Sequence, residues 1–411
     1  MTAFPPLPHA APLPVEEAQR RVLEVIPLLD AEEVSLLDAL GRVLREDVVA
    51  PHDIPEGDNS AMDGYAVRAA DVTRAPVSLR VIGDIPAGRV AERALEPGTA
   101  MRIMTGALLP EGADAVAQVE ITDGGDEVVV VNEPLTPGAN LRRRGEDMRR
   151  GDVVLRAGVA LNAGEIGVLA SAQKSNVRVS RRPVVAILST GDELVDVGEP
   201  RAPGKVVNSN AYALAALVRE SGAVPRMLGI VRDDREATIR AIESALESDF
   251  VLSSGGVSVG AYDFVKTALA ALGAETKFWR VAMKPGKPLI LATLRGRVFF
   301  GLPGNPVSSM VSFLLFVAPA LRKAMGLAGV LPPIVDVPLD GRLRSNGARR
   351  TYFRVRVVAR DGALVAVPMT AQGSGVSTSM LQANGLAIVD EGVTLVEPGS
   401  ALPVVLLSRP H

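Results

Sequence analysis

Apolar and polar positions follow different rhythms in different parts of this chain. Residues 1–14, MTAFPPLPHAAPLP, follow none; rich in Pro and Ala, they read as disordered. PVEEAQRRVLEVIPLL then opens on Pro and two acidic residues. Val15, Ala18, Val22, Leu23 and Ile26 fall on one face, a spacing that predicts a helix. A second short helix is expected over SLLDALGRVL, and a third over NAGEIGVLASAQ with Asn162 as N-cap. Between these pieces VSLRVIGDIPAG, GTAMRIMTGALL, DAVAQVEI and DGGDEVVVV alternate or run apolar between Gly and Pro turns, and predict strands.

From residue 180 strand and helix patterns alternate. PVVAILST, VPRMLGIV, DFVLSS, PLILATL and RVFFGL read as buried strands. SNAYALAALVRESG, REATIRAIESALES, FVKTALAALG and PVSSMVSFLLFVAPALRKAMG read as helices. That alternation predicts a doubly wound α/β domain with a largely parallel sheet. Beyond it, IVDVPLD, TYFRVRVVA, ALVAVPMT, GLAIVDE and SALPVVLLS are short strands of a small barrel or sandwich. The expected organisation is multidomain α/β plus β. Residues 1–45 and 145–179 form a helical linking domain, 46–144 a mostly β domain inserted in it, 180–328 the α/β domain, and 329–411 a C-terminal β-barrel.

Composition narrows the chemistry. The 411 residues suffice for two to four domains, and 47% hydrophobic content supplies their cores. Aromatics at 3% and a net charge of −3 argue against nucleic acid as a general partner. There is no cysteine, which excludes disulfides, zinc–thiolate sites and thiol catalysis. The three histidines are His9 in the Pro-rich tail, His52 and the terminal His411, so a histidine triad is a poor reading. The N-terminus has neither the basic region nor the apolar core of a signal peptide, and MVSFLLFVAPAL is too short to span a bilayer. A cytoplasmic protein with no membrane partner is the expectation. Its chemistry must run on carboxylates, Lys, Arg and hydroxyls, with a metal bound by oxygen as a further option.

Ligands of open α/β sheets bind past the carboxyl ends of the strands. There PVVAILST is followed by Asp192 and Glu193, MLGIV by Asp233 and Asp234, and FVLSS by GGVSVGAYD with Asp263. KPGKP, with Lys284 and Lys287, precedes PLILATL, and PGNP follows VFFGL, with Asn305 as expected N-cap and Pro306 at N1. Gly255 and Gly260 stand five apart as in a Walker A loop, but Ala261 and Tyr262 replace the expected Lys and hydroxyl residue. Any one of these loops could be a cap or turn. Together they pair carboxylates suited to Mg²⁺ with lysines suited to a phosphate or oxoanion. Gly255 and Gly256 are expected to let backbone N–H groups approach that anion, and the helix after Asn305 to offer it a positive end. The inserted domain adds DNSAMDGYAV, RIMTGALLPEGAD and NLRRRGEDM, the last with three successive arginines, Arg142 to Arg144.

DNSAMDGYAVR, RIMTGALLPEGADAV, NLRRRGED, LSTGDEL, SSGGVSVGAYDFVK, MKPGKP and GLPGNPVSS, in this order, resemble the MoeA family of molybdopterin molybdenumtransferases. The gephyrin E domain and its plant counterpart are related to that family. The resemblance runs from about residue 15 to the C-terminus. It implies an elongated homodimer of four-domain subunits, with a MogA-like molybdopterin-binding α/β domain. The implied reaction inserts molybdate into adenylylated molybdopterin and releases AMP with Mg²⁺, in a site shared between one subunit's α/β domain and the other's inserted domain. Carried over by motif, Asp63, Asp147, Glu193, Lys284 and Lys287 are the implied catalytic residues. Thr105, Arg142, Gly255, Gly256, Ser258, Pro303, Asn305, Pro306 and Ser374 are the implied substrate contacts, and Asp233, Asp263 and Glu193 the implied metal ligands. Many relatives have an acidic residue where this chain has Ala261, so Asp263 works with one carboxylate fewer nearby. A separate molybdopterin adenylyltransferase must supply the substrate, and recipient molybdoenzymes or their chaperones take the product. Two alternatives stand beside this: the adenylyltransferase step itself, and a gephyrin-like non-catalytic scaffold.

Overall fold

The structure, a computed structural model, describes residues 11–257 and 264–407. Helix α1 (Val15–Glu24) follows the expected stripe, with Glu17 tied to Arg20 and Arg21 at 2.7 Å on its outer face. Its apolar face packs far along the chain. Val15, Ala18, Val22 and Ile26 share one core with Val185, Ile187, Phe316 and Leu321 of the α/β domain. Each such buried Val, Ile, Leu or Phe side chain is worth about 1.5–3 kcal/mol.

Strand β1 (Ala31–Ser35) comes next, and the helix expected over SLLDALGRVL does not form. A single turn stands there, with Ala39 N–H bonded to Ser35 O at 3.1 Å, and Gly41 closes it at φ 73°. Leu37 and Leu40 are 81% and 56% exposed, so their helical spacing has no surface to bury against. The inserted sheet follows: β2 (Gly64–Val67), β3 (Val77–Ile85), β4 (Thr99–Ile103), β5 (Ala115–Gln118) and β6 (Val128–Val131), in the order β5-β2-β4-β3-β6. Gly64 is forced by this packing, because a Cβ there would lie 2.0 Å from Ala117 O. Helix α2 (Ala163–Ser171) starts after Asn162, whose N–H the Glu165 carboxylate accepts at 2.9 Å. Strand β7 (Asn176–Ser180) then pairs back antiparallel with β1.

The α/β domain runs β8 (Val184–Thr190), α3 (Ser209–Glu220), β9 (Val224–Val231), α4 (Arg235–Ala245), β10 (Phe250–Ser254), α5 (Phe264–Ala271), β11 (Glu275–Arg280), β12 (Met283–Lys284), β13 (Pro288–Leu294), β14 (Arg297–Leu302), α6 (Pro306–Ser312) and α7 (Ala318–Ala324). Its sheet order is β9-β8-β10-β14-β13-β11. The first four strands are parallel; β13 runs antiparallel to β14, and β11 pairs antiparallel with β13 and so runs with the first four. That reversal matters for the site. Because β13 runs against β14, with Ile290 opposite Gly301, the residues just before β13 reach the edge where the parallel strands end. KPGKP therefore shares an edge with loops that follow their strands.

Between α6 and α7 a π-helical turn spans Phe313–Val317, giving one helical run of 19 residues, Pro306–Ala324. That run is long enough to cross a bilayer by length and apolar composition, against the sequence expectation, yet 78% of its apolar window is buried inside the protein. Val307, Val311, Phe313, Phe316 and Leu321 are its core contacts.

The C-terminal region comprises β15 (Ile334–Pro338), β16 (Arg350–Arg360), β17 (Ala363–Pro368), β18 (Gly385–Val389) and β19 (Ala401–Leu406). Pairing runs β17-β16-β18-β19-β15, and a Leu339–Ala366 bridge returns to β17. The ring closes into a small barrel around Val337, Val355, Val357, Ala387 and Val404. Strand β12 adds to it in parallel, placing Lys284 beside Thr351. The lysine loop is thus held between the α/β sheet and the barrel.

Candidate active site

The carboxyl edge of the α/β sheet forms a cleft. Glu193, Asn210, Ser254, Gly255, Gly304 and Pro306 line it, drawn from the ends of β8, β10 and β14 and from the first turn of α3. Gly255 and Gly256 have φ of 90° and 67°, the left-handed region that suits glycine. A Cβ on Gly256 would meet Val265 Cγ2 at 2.6 Å and Thr190 Oγ1 at 2.7 Å. The Gly255 N–H is taken by Leu302 O at 3.1 Å, so it does not face a ligand as the sequence reading expected.

A second cleft, about 560 Å³, adjoins this one and includes Asp192, Asp196, Lys205 and Arg232. Asp192 and Asp233 bind each other's loops. Asp192 N–H meets Asp233 Oδ2 at 3.2 Å, and Asp233 N–H meets Asp192 Oδ1 at 3.3 Å. The adjacent Asp234 is different: it caps α4 by accepting Ala237 N–H at 2.7 Å. The two neighbouring aspartates are thereby divided between a helix cap and the cleft edge. Glu193 packs its carboxyl group against Gly191. These hard oxygen donors suit a divalent cation that takes one or two carboxylates plus water and phosphate oxygens. Among the described residues no three acidic or histidine side chains converge tightly enough to hold a metal by themselves. Ser258 and Asp263 lie outside the described residues.

Lys284 and Lys287 are exposed, and neither has an ion-pair partner among the described residues. Between them Gly286, at φ 105°, packs so closely that a Cβ would meet Met283 Cε at 2.4 Å and Ser312 Oγ at 2.8 Å. Pro303 is buried, while Asn305 is exposed. Asn305 occupies the N-cap position of α6 without a side-chain cap bond. Its Nδ2 donates to Ser374 Oγ at 3.1 Å, and Ser374 O accepts Val307 N–H at 3.1 Å. The first free amide of α6 is therefore closed by the C-terminal region instead of standing open to an anion.

The inserted domain gathers its own polar group. Asp63 Oδ1 accepts the Thr105 N–H at 2.7 Å and the Thr105 hydroxyl at 2.8 Å. The amide, then the hydroxyl, hold the Asp63 carboxyl below the usual aspartate range. A two-residue pairing sets Asn59 opposite Arg142. The arginine run divides by partner. Arg143 pairs with Asp58 at 2.5 Å, and Arg144 with Asp53 at 2.5 Å. Arg142 has no such partner among the described residues and is exposed, as is Asp147. Within one chain no hydrogen bond or ion pair among the described residues joins this group to the α/β cleft.

Two residues of the cleft, Asn210 and Thr190, were missed by the sequence reading, which named Asp192 among the strand-end carboxylates without assigning it a role. Asn210 Nδ2 donates to Ser254 Oγ at 3.0 Å and Gly304 O at 2.7 Å, tying two loops together. Thr190 Oγ1 is buried beside Gly256 without a hydrogen-bond partner among the described residues. Asp192 completes the exchange with Asp233. The only signal for Asn210 was the Asn-Ser-Asn run at a helix start, which also reads as capping.

Three family descriptions match in succession and cover most of the chain. The MoeA N-terminal region (domain I and II) matches residues 13–172, a probable molybdopterin binding domain matches 186–323, and the MoeA C-terminal region (domain IV) matches 336–407. The chain belongs to the MoeA family. This MoeA chain is 42% identical to a molybdopterin molybdenumtransferase of Nostoc, over 98% of its own length and 96% of the relative's. It is 37% identical to the Bacillus subtilis protein of that name, over 98% and 95%. The molybdopterin biosynthesis moeA protein of Pyrococcus horikoshii superposes with a TM-score of 0.83 at 32% identity, covering 96% of this chain and all of that one.

Proposed function

We propose that this MoeA chain is a molybdopterin molybdenumtransferase of molybdenum cofactor biosynthesis. It inserts molybdate into adenylylated molybdopterin, and the adenylate leaves as AMP. The observation that carries this reading is the full-length match to molybdenumtransferases, on a chain whose family motifs fall on two separate polar surfaces. The adenylyltransferase alternative does not account for the inserted sheet or the barrel. A purely structural scaffold leaves two lysines on the cleft edge, unpaired among the described residues, without a role.

In this reading Lys284 and Lys287 bind molybdate or a substrate phosphate as point charges on the α/β edge. Gly256, whose N–H has no partner among the described residues, allows the substrate close to the backbone. Asp233 and Glu193, with Asp263, would hold Mg²⁺, which supplies neutralisation of phosphate charge when bound. Arg142 contacts the phosphate of the pterin side. Asp63, held ionised and oriented by Thr105, positions the substrate, and Asp147 extends the same surface. The separation of the two polar groups within one chain supports a homodimer in which each site takes the α/β edge of one subunit and the inserted domain of the other. Adenylylated molybdopterin comes from a separate adenylyltransferase, and recipient molybdoenzymes or their chaperones take the product. A cytoplasmic location fits a chain whose long apolar helix is buried in its own core.

The test is AMP release from adenylylated molybdopterin with Mg²⁺, with and without molybdate. AMP release that requires molybdate is expected. Equal release without molybdate would contradict insertion.

A further inference from the structure

The loop that bears Ser374 has no regular structure of its own between Pro368 and Ser377. It is wound around one side chain. Arg354, on β16, is 1% exposed and among the largest fully buried side chains of the chain. Its Nε donates to Ser379 Oγ at 3.2 Å, and its Nη2 to Ala371 O and Gly373 O, each at 3.2 Å. Gln372 locks the same contact from the backbone side. It accepts Arg354 N–H at 3.0 Å and donates to Arg354 O and Met369 O at 2.9 Å.

Every acceptor of this guanidinium is a neutral oxygen, and no carboxylate pairs with it among the described residues. Burial pushes its pKa down, as expected of a cation without a counter-charge. An apolar side chain of similar volume would cost less to bury. What arginine supplies here is geometry: donors in a rigid planar fork, matched to oxygens on both arms of one loop. The loop's outer end, Ser374, then meets Asn305 and closes the first amide of α6.

We infer that Arg354 is a positioning residue of the active site, which fixes the 371–379 loop so that Ser374 seats on Asn305 and Val307 at the cleft edge. It touches no substrate and acts through Ser374. The inference rests on the proposed function only in its kinetic part.

Amide hydrogen exchange tests the structural part without any substrate. In Arg354→Met, segments 369–381 and 303–309 should exchange at least about tenfold faster, while the inserted domain keeps its wild-type rates. Unchanged exchange at 303–309 would overturn the inference. Should Arg354→Met not fold, Arg354→Lys keeps the charge but not the fork, and should show the same effect more weakly. The kinetic part is a double-mutant cycle with Ser374→Ala on molybdate-dependent AMP release. Each single change should lower kcat/KM, and the double variant should be no worse than the poorer single. Losses that multiply would show that Arg354 does not act through Ser374. If Ser374→Ala alone has no effect, Arg354 has nothing to act through at the site, and the kinetic part of the inference is overturned.

Discussion

Gly256→Ala tests how the turn after β10 is built. At φ 67°, an alanine pays a backbone cost of about 1–2 kcal/mol. Its Cβ would also press on Val265 Cγ2 at 2.6 Å and Thr190 Oγ1 at 2.7 Å. Neither neighbour can swing away easily, because Val265 is fully buried and Thr190 is 8% exposed. Such crowding adds about 1–3 kcal/mol. Gly273→Ala is the control: its φ is 77°, but a Cβ there meets nothing within 4 Å, so only the backbone cost applies. Trp279, the single tryptophan, lies on β11 in the same domain with Lys266 Nζ 4.0 Å from its ring centre, and reports that domain's unfolding by fluorescence. At about 2–4 °C per kcal/mol, Gly256→Ala should lower the midpoint by about 4–20 °C and Gly273→Ala by about 2–8 °C. AMP release measured below both midpoints should fall only in Gly256→Ala. Equal midpoints for the two variants would refute the crowding argument, and full activity in Gly256→Ala would remove the turn from the site.

Asp249, 9% exposed, sits at the opposite end of β10 and predicts a pH effect away from the chemistry. Burial alone pushes its carboxyl up, but the paired bonds to Arg181, both 2.7 Å, the Val184 amide and Arg297 more than reverse this, so its pKa lies below the ordinary value. A lowered carboxylate pKa stabilises the fold above the unfolded-state value and loses that contribution as pH falls through the folded value. Asp249→Asn should cost about 2–3 kcal/mol at neutral pH in denaturant titrations, less than a fully buried pair because both arginines are partly solvated. The gap to wild type should narrow below about pH 4, and a gap that stays constant to pH 2 would refute the linkage. In the arginine run, Arg142→Ala should lower kcat/KM for adenylylated molybdopterin at least about tenfold with an unchanged thermal midpoint, whereas Arg143→Ala should mainly loosen the Asp58 contact. The reverse ranking would mean that the exposed arginine is not the substrate contact.

The periodic elements of the α/β domain were legible in the sequence because their apolar runs are buried on both faces, as in PVVAILST and DFVLSS. SLLDALGRVL misled because periodicity records which residues could share a face, not whether a partner surface exists. The direction of β13 was hidden for a related reason: an apolar run carries no sign of orientation. Yet that direction brings Lys284 and Lys287 to the loops after the parallel strands. Motif reading found the polar residues but could not divide them between architecture and chemistry. Asp53 and Asp58 claim Arg144 and Arg143, Leu302 claims the Gly255 amide, and Ser374 claims the end of α6. All three depend on contacts between residues far apart in sequence, as does the buried fork of Arg354.

Mixed dimers test the central claim most directly. Asp63→Ala and Lys284→Ala, each expected to be inactive alone, are unfolded together in equal amounts and refolded, and molybdate-dependent AMP release is followed. A site shared across a two-fold dimer puts both lesions in one site of the hybrid and leaves the other intact, so activity should return to about one quarter of wild type. Hybrids no more active than either parent would contradict a site built from the inserted domain of one subunit and the α/β edge of the other.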